Sequence, residues 1–166
     1  LYIINADKVF ITTVKGTENT LSSTGEFASS DDATNVDGAI FSKSDITFNG
    51  SGTLNEKCES KHGIVTKDDL KITGGTCNIT SASQGLSGKD SVRIAGGNIT
   101  VTSGTDGIHS ENTDDTEKGY VYISGGTLNI TSGNDCIDAS GTVDIKYGTF
   151  AFKAGGGSSE KTTGDS

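Results

Sequence analysis

Apolar residues recur along this chain with two periods, one short and one long. Over short distances they alternate with polar residues, as in Leu70/Ile72 and then Cys77/Ile79. Alternation with a period of two is typical of a β-strand that buries one face and exposes the other. The glycine pair at 74–75 separates these two runs and marks a corner between two strands.

The same pattern returns about 22 residues later. Segment 62–81 aligns without a gap with segment 84–103, which begins 22 residues further on. The first apolar residues of the successive repeats are Ile40, Ile64, Leu86, Ile108 and Ile137. We attribute the wider steps of 24 and 29 residues to two extra residues within 49–61 and to a seven-residue insertion at 111–117. A fixed period near 22 indicates a solenoid in which each repeat forms one turn.

Three short strands per turn predict an all-β fold, the parallel β-helix, in which equivalent residues stack at a spacing of roughly 4.8 Å. We expect it to be right-handed, as parallel crossovers are. Twenty-four glycines and the absence of Leu-rich motifs disfavour helical and leucine-rich repeats. We predict one β-helix domain at 1–154, irregular over 1–28 and without a cap at either end, as in a piece of a longer solenoid. The segment 155–166 is predicted to be a flexible Gly/Ser-rich linker or loop.

Composition narrows the classes of partner. The net charge of −9 disfavours nucleic acid, because phosphate binding requires a basic surface. No apolar run is long enough to insert into a membrane. The acidic balance and the many Ser, Thr and Asn residues fit an extracellular or cell-surface protein. Three cysteines form no disulfide framework: we place Cys77 and Cys136 in the interior and Cys58 in a loop. The oligomeric state is left open.

Several ordered segments resemble a family of bacterial extracellular carbohydrate-binding β-helix proteins. They are 18–21 (Glu-Asn-Thr-Leu), 36–45 (Val-Asp-Gly-Ala-Ile-Phe-Ser-Lys-Ser-Asp), 62–69 (His-Gly-Ile-Val-Thr-Lys-Asp-Asp), 106–108 (Asp-Gly-Ile) and 118–123 (Lys-Gly-Tyr-Val-Tyr-Ile). The resemblance covers about residues 7–157. It implies a fold similar to that of polysaccharide lyases, bound calcium, and binding of cellulose and acidic pectic sugars of the plant cell wall.

Aspartates at equivalent positions of successive repeats are candidate ligands for Ca²⁺. The position just before the repeated glycine holds Asp37, His62, Gln84, Asp106 and Asp135, and three residues further on His109 and Asp138 are in register. We predict that Asp106, Asp135 and Asp138 converge at one corner, because Ca²⁺ takes about six to eight oxygen ligands. The alternative is a set of solvated aspartates that are favoured at turns.

Two further acidic groups are candidates for the same ion. The first lies in the loop that leads into the repeats and comprises Asp31, Asp32 and Asp37. The second is Asp68 stacked on Asp90 of the next turn. Stacked carboxylates repel one another, and a bound cation offsets that repulsion.

A column of lysines is the candidate contact for an acidic sugar. Lys43, Lys67, Lys89 and Lys118 occupy the same position on four successive turns. They form either a cationic stripe that meets the carboxylates of a polyuronate or a charged ladder neutralised by neighbouring aspartates. Tyr120 and Tyr122 flank an inward valine, so both point outward and offer flat faces on which a sugar ring packs. Shielding of the strand edge is the alternative role for these tyrosines.

Catalysis is the less favoured hypothesis. A uronate lyase needs a base for the C5 proton and a cation for the developing charge. Arg93 is the only arginine, and we interpret it as an ordinary outward strand residue without a Lys/Arg/Asp cluster around it. We therefore expect a non-catalytic, calcium-binding module for acidic polysaccharide and also cellulose. A calcium-dependent pectate lyase and a structural adhesin or surface stalk are the alternatives.

Overall fold

The protein is built from three parallel six-stranded sheets that wind around one narrow interior. The computed structural model describes residues 1–27 and 36–155. These residues form 18 strands and no helix, so the described part of the chain contains no helix that could cross a membrane. Every third strand belongs to the same sheet, and all the recorded pairings are parallel. The predicted parallel β-helix is confirmed.

Each sheet takes one strand from each of six coils. Sheet A contains β1 (Tyr2–Ile3), β4 (Gly38–Ser42), β7 (His62–Thr66), β10 (Leu86–Gly88), β13 (Ile108–Ser110) and β16 (Ile137–Ala139). Sheet B contains β2 (Lys8–Thr13), β5 (Asp45–Gly50), β8 (Asp69–Ile72), β11 (Ser91–Ile94), β14 (Tyr120–Ile123) and β17 (Val143–Ile145). Sheet C contains β3 (Glu18–Ser23), β6 (Thr53–Cys58), β9 (Thr76–Ser81), β12 (Asn98–Ser103), β15 (Thr127–Ser132) and β18 (Thr149–Ala154).

The strand register reproduces the repeat seen in the sequence. Ile64 pairs with Ile40 on one side and with Leu86 on the other, and Ile108 pairs with Ile137. The insertion at 111–117 lies between β13 and β14, outside the strands. The first coil is regular, not irregular as predicted, because β2 and β3 pair along their whole length with β5 and β6.

Two residues lie elsewhere than the sequence predicted. His62 pairs with Gly38 and not with Asp37. The reason is that the coil of Asp37 has one residue more than the next coil, the buried Ala39, between its glycine and its first apolar residue. Asp37 is therefore one position out of its proposed column. Cys58 ends β6 and is buried, so the loop assignment was wrong. The interior positions predicted for Cys77 and Cys136 are confirmed, and burial raises the pKa of the Cys77 thiol to about 11.

Aliphatic side chains fill the interior in columns along the solenoid axis. One such column holds Val101 and Ile130, which are almost fully buried. Among the described residues, the sixth coil pairs only with the fifth, and its inward Val143 is 47% exposed. Inward residues of the middle coils are covered by a coil on both sides, so burial stabilises those coils more.

A carboxylic acid interrupts one aliphatic column. Glu56 pairs with Leu21 and Ile79, yet it points inward and is only 3% exposed. Within the described chain, neither carboxyl oxygen has a hydrogen-bond partner. Gly63 leaves room for the group, since a Cβ there would lie 2.9 Å from Glu56 Oε2. Burial raises the pKa of Glu56 from 4.5 to about 8, so the group is held as the neutral acid at neutral pH.

Glu56 is expected to make the fold less stable as the pH rises from 4.5 to 8. In that window the unfolded chain has lost the proton that the folded chain retains, so the free energy of unfolding falls with pH. Glu56→Leu, which places an aliphatic side chain in the aliphatic column, should abolish this decline, whose size is about a few kcal/mol. Urea unfolding across the pH range measures it. The exposed Glu59→Gln is the control. A decline of the same size in Glu56→Leu would contradict the assignment.

Candidate functional site

Asp106, His109 and Asp138 meet at one end of sheet A. His109 on β13 pairs directly with Asp138 on β16. Its Nδ1 lies 2.9 Å from Asp138 Oδ2 and 4.0 Å from Asp106 Oδ2. One ligand atom from each of the three side chains lies within 4.8 Å of the others. The structure thus brings together two predicted metal ligands and adds a histidine whose register with Asp138 was visible in the sequence.

The other predicted ligands of this corner lie differently. Asp135 is exposed and contributes its backbone N–H, which donates to Asp106 Oδ1 over 3.3 Å. Asp37 Oδ2 lies 3.9 Å from His62 Nε2, and Asp37 is three coils away from Asp106. Burial lowers the pKa of His62, and its Nδ1 accepts a hydrogen bond from the backbone of Gln84. Asp31 and Asp32 lie outside the described residues.

A second acidic cluster lies at the start of the sheet B strands. The predicted pair Asp68 and Asp90 lies side by side on adjacent coils, where the backbone N–H of Asp90 donates to the carbonyl of Asp68 over 3.2 Å. Burial, the charge of Asp45 and the nearby Asp90 carboxyl raise the pKa of Asp68 to about 6. Burial also acts to raise the pKa of Asp90, but hydrogen bonds from Lys118 and Asn112 outweigh it and lower that pKa. Asp68 therefore carries the proton of the pair more readily than Asp90.

The lysine column is largely engaged with acidic and aromatic partners. Lys118 Nζ lies 2.6 Å from Asp90, and Lys89 Nζ lies 2.9 Å from Asp114. Lys67 Nζ lies 5.5 Å from the centre of the Phe41 ring. Lys43 directly precedes Lys67 in the column, since the Lys67 N–H donates to the carbonyl of Ser42. These contacts favour the charged ladder for Lys89 and Lys118.

Two members of the lysine column border a shallow cavity. Lys67 and Lys89 line a space of about 340 Å³ on the outer face of sheet A. His62, His109 and Glu111 also line this space. The lysine column and His109, which belongs to the corner with Asp106 and Asp138, therefore share one surface.

The two predicted tyrosines line a different cavity, on the outer face of sheet B. Tyr120 and Tyr122 are half-buried and share a space of about 400 Å³ with Lys71 and Arg93. Arg93 pairs in register with Lys71 and with Tyr122 on the two neighbouring strands. We call these four residues the tyrosine groove.

Arg93 is more than an ordinary outward residue, which corrects the sequence interpretation. Its guanidinium donates to Asp69 Oδ2 over 2.9 Å, and Asp69 Oδ1 accepts a hydrogen bond from Ser91. Lys71, Arg93 and Asp69 thus form the Lys/Arg/Asp cluster that the sequence analysis did not find. The signal was available, because Lys71 and Arg93 are 22 residues apart and therefore adjacent in one column.

Comparison with known proteins agrees with this architecture. A family model described as "Carbohydrate-binding domain-containing protein" matches residues 1–166. A relative of the same description from Acetivibrio thermocellus is 48% identical over 121 residues, which cover 72% of this chain and 42% of the relative. The chain therefore spans less than half the length of that relative.

A solved structure is similar over nearly the whole chain. It is the polysaccharide lyase-like protein from C. thermocellum, in a gadolinium derivative, with a TM-score of 0.88 and 41% identity. The match covers 93% of this chain and 63% of that one. The expected likeness in fold to a polysaccharide lyase-like protein is confirmed. Since the family model matches residues 1–166, the chain belongs to the family of carbohydrate-binding domain-containing proteins.

Proposed function

We propose that this chain is a secreted, non-catalytic module that binds acidic polysaccharide of the plant cell wall, and cellulose more weakly. The observation that carries the proposal is the tyrosine groove, where two aromatic rings and two cations line one open cavity. The family description supports a carbohydrate as the partner. The resemblance to extracellular pectin- and cellulose-binding β-helices supports the acidic substrate and the location outside the cell.

The groove offers both kinds of contact that an acidic sugar needs. The apolar faces of sugar rings pack on the flat rings of Tyr120 and Tyr122. Arg93 keeps donors beyond the one that binds Asp69, and a planar guanidinium pairs with a carboxylate through two parallel hydrogen bonds. Lys71 adds a second charge beside it. A polyuronate therefore gains ion pairs that a neutral glucan does not.

The lysine column gives a second, weaker point of attachment. Asp90 and Asp114 hold Lys118 and Lys89, so an incoming carboxylate must compete with them. Lys67 contacts an aromatic ring and borders the open cavity on sheet A. We propose that Lys67 and Lys43 assist the binding of long polyuronate chains.

Calcium is proposed at the Asp68 and Asp90 pair. The Asp69 N–H donates to Asp45 Oδ1 over 3.3 Å, and burial together with the charges of Asp45 and Asp69 raises the pKa of Asp68, so several carboxylates lie close together here. A divalent cation relieves that repulsion and finds the oxygen ligands that Ca²⁺ requires. The solved relative is a gadolinium derivative, and lanthanide ions share this preference for oxygen. The loop that contains Asp31 and Asp32 remains a candidate of the same kind.

A calcium-dependent lyase is the second candidate function. The observation that favours it is the cluster of Lys71, Arg93 and Asp69 beside the open groove. A lysine that loses its proton can act as a base, and an arginine stabilises the developing negative charge. Ultraviolet absorbance of unsaturated uronate products would identify this activity. A surface stalk would bind no polysaccharide at all.

Substitutions in the tyrosine groove should separate the two contacts. Arg93→Ala should weaken binding of polygalacturonate by about tenfold or more and leave cellulose binding unchanged, because only the polyuronate carries charge. Tyr122→Ala should weaken both, since ring packing does not depend on charge. Isothermal titration with polygalacturonate and pull-down with cellulose measure these changes.

Matched variants test the position of the site. Tyr147→Ala removes a tyrosine that is 76% exposed and lies outside the groove, and it should have no effect. Lys67→Ala with Lys89→Ala should lower polyuronate affinity less than Arg93→Ala does. If the double variant loses binding while Arg93→Ala retains it, the lysine column and not the groove carries the function.

Calcium should raise the melting temperature, and a chelator should reverse the rise, because an ion that binds only the folded state stabilises it. The rise should be largest above pH 6 and shrink below it, since the proton on Asp68 competes with the ion there. Asp68→Asn should abolish the calcium effect, whereas Asp144→Asn on the last coil should not. An equal rise in Asp68→Asn would place the ion elsewhere. Polygalacturonate should add a further rise.

A further inference from the structure

The corner formed by Asp106, His109 and Asp138 differs chemically from the acidic cluster on sheet B. It joins two consecutive coils, because His109 and Asp138 stand side by side on paired strands. The ring nitrogen Nδ1 of His109 faces carboxylate oxygens of both aspartates, at 2.9 and 4.0 Å. The side chains of Asp106 and His109 are about 15% exposed, whereas that of Asp138 is 47% exposed, so the group is shielded on one side and open to solvent on the other.

This donor set does not suit calcium. Ca²⁺ takes six or more oxygen ligands, and a ring nitrogen is a poor substitute for one of them. Zinc-class ions bind imidazole nitrogen and carboxylate oxygen together. Three protein ligands with one open position form a common zinc arrangement. One nitrogen and two oxygens, each within 4.8 Å of the others, match this arrangement in number and in kind.

Outer contacts orient two of the three ligands. Glu111 Oε2 lies 3.6 Å from His109 Nε2, the nitrogen on the far side of the ring. This contact is longer than a hydrogen bond, but once an ion displaces the proton from Nδ1, the charge of the carboxylate favours the proton on Nε2. The backbone N–H of Asp135 donates to Asp106 Oδ1, while Oδ2 of the same carboxylate faces His109. Contacts of this kind accompany histidine and carboxylate ligands at metal sites.

We propose that Asp106, His109 and Asp138 bind a divalent ion of the zinc class, with Glu111 as the residue that positions the histidine. His109 gives its Nδ1, and each aspartate gives one oxygen. The ion replaces the direct hydrogen bond between His109 and Asp138 and ties the fifth coil to the sixth. It thereby stabilises the packing of the sixth coil on the fifth. The site is separate from the tyrosine groove, so polysaccharide binding does not depend on it.

Isothermal titration of the metal-free protein with Zn²⁺, with Ca²⁺ present in excess, tests the proposal. One Zn²⁺ per chain should bind, and calcium should not displace it. His109→Ala and Asp138→Asn should each abolish this binding step, and Glu111→Gln should weaken it roughly tenfold or more. Co²⁺ should give intense visible absorption, as four-coordinate sites do, and lose it in His109→Ala.

The other histidine of the chain provides the matched control. His62→Ala removes an imidazole from the same face of sheet A but leaves the three ligands intact, so Zn²⁺ affinity should be unchanged. Circular dichroism verifies the fold of each variant. Equal Zn²⁺ binding by the wild type and His109→Ala, displacement by calcium, or no binding at all would overturn the proposal. Failure of polygalacturonate binding would not bear on it.

Discussion

In-register stacking of coils is the constraint on which the rest of this structure depends. Backbone hydrogen bonds between successive coils fix each residue beside its equivalent one repeat away, as Ile99 stands beside Cys77 and Leu128. Inward positions then form apolar columns, and no further tertiary contact is needed to specify the interior. The same rule places outward residues in columns, whether or not their charges agree. The chemistry of the surface therefore depends on how the charges within each outward column are neutralised.

Like charges in a column are stabilised here by residues from outside it. Asp90 receives hydrogen bonds from Asn112, which lies in the insertion after β13, and from Lys118, which directly follows the insertion. Lys89 is paired by Asp114 from the same insertion. In the interior, Glu56 has no hydrogen-bond partner in the described chain, and a proton neutralises it instead. Solvent and insertions relieve charge outside, and protonation relieves it inside.

The period of the sequence predicts the fold and most of the register, because a strict repeat leaves few ways to stack. It also places Asp68 beside Asp90 and brings Asp106 and Asp138 to one corner. It does not reveal Ala39 as an extra interior residue, since one added residue leaves the glycine motif intact while it shifts Asp37 out of line. The repeat also does not predict the distances between side chains on neighbouring coils. The ion pair of Arg93 and Asp69 joins different columns, which a search for repeated identities does not compare.

The seven-residue insertion shows how one irregular segment can organise two sites in a regular solenoid. Its first residue, Glu111, faces His109, while the next, Asn112, donates to Asp90 on the previous coil. Asn112 also accepts the backbone N–H groups of Asp114 and Asp115, so one side chain both closes the turn and orients an aspartate. The backbone of Asn112 is in turn held by Ser140 of the last coil. One short loop therefore contacts both acidic clusters, although the two belong to different sheets.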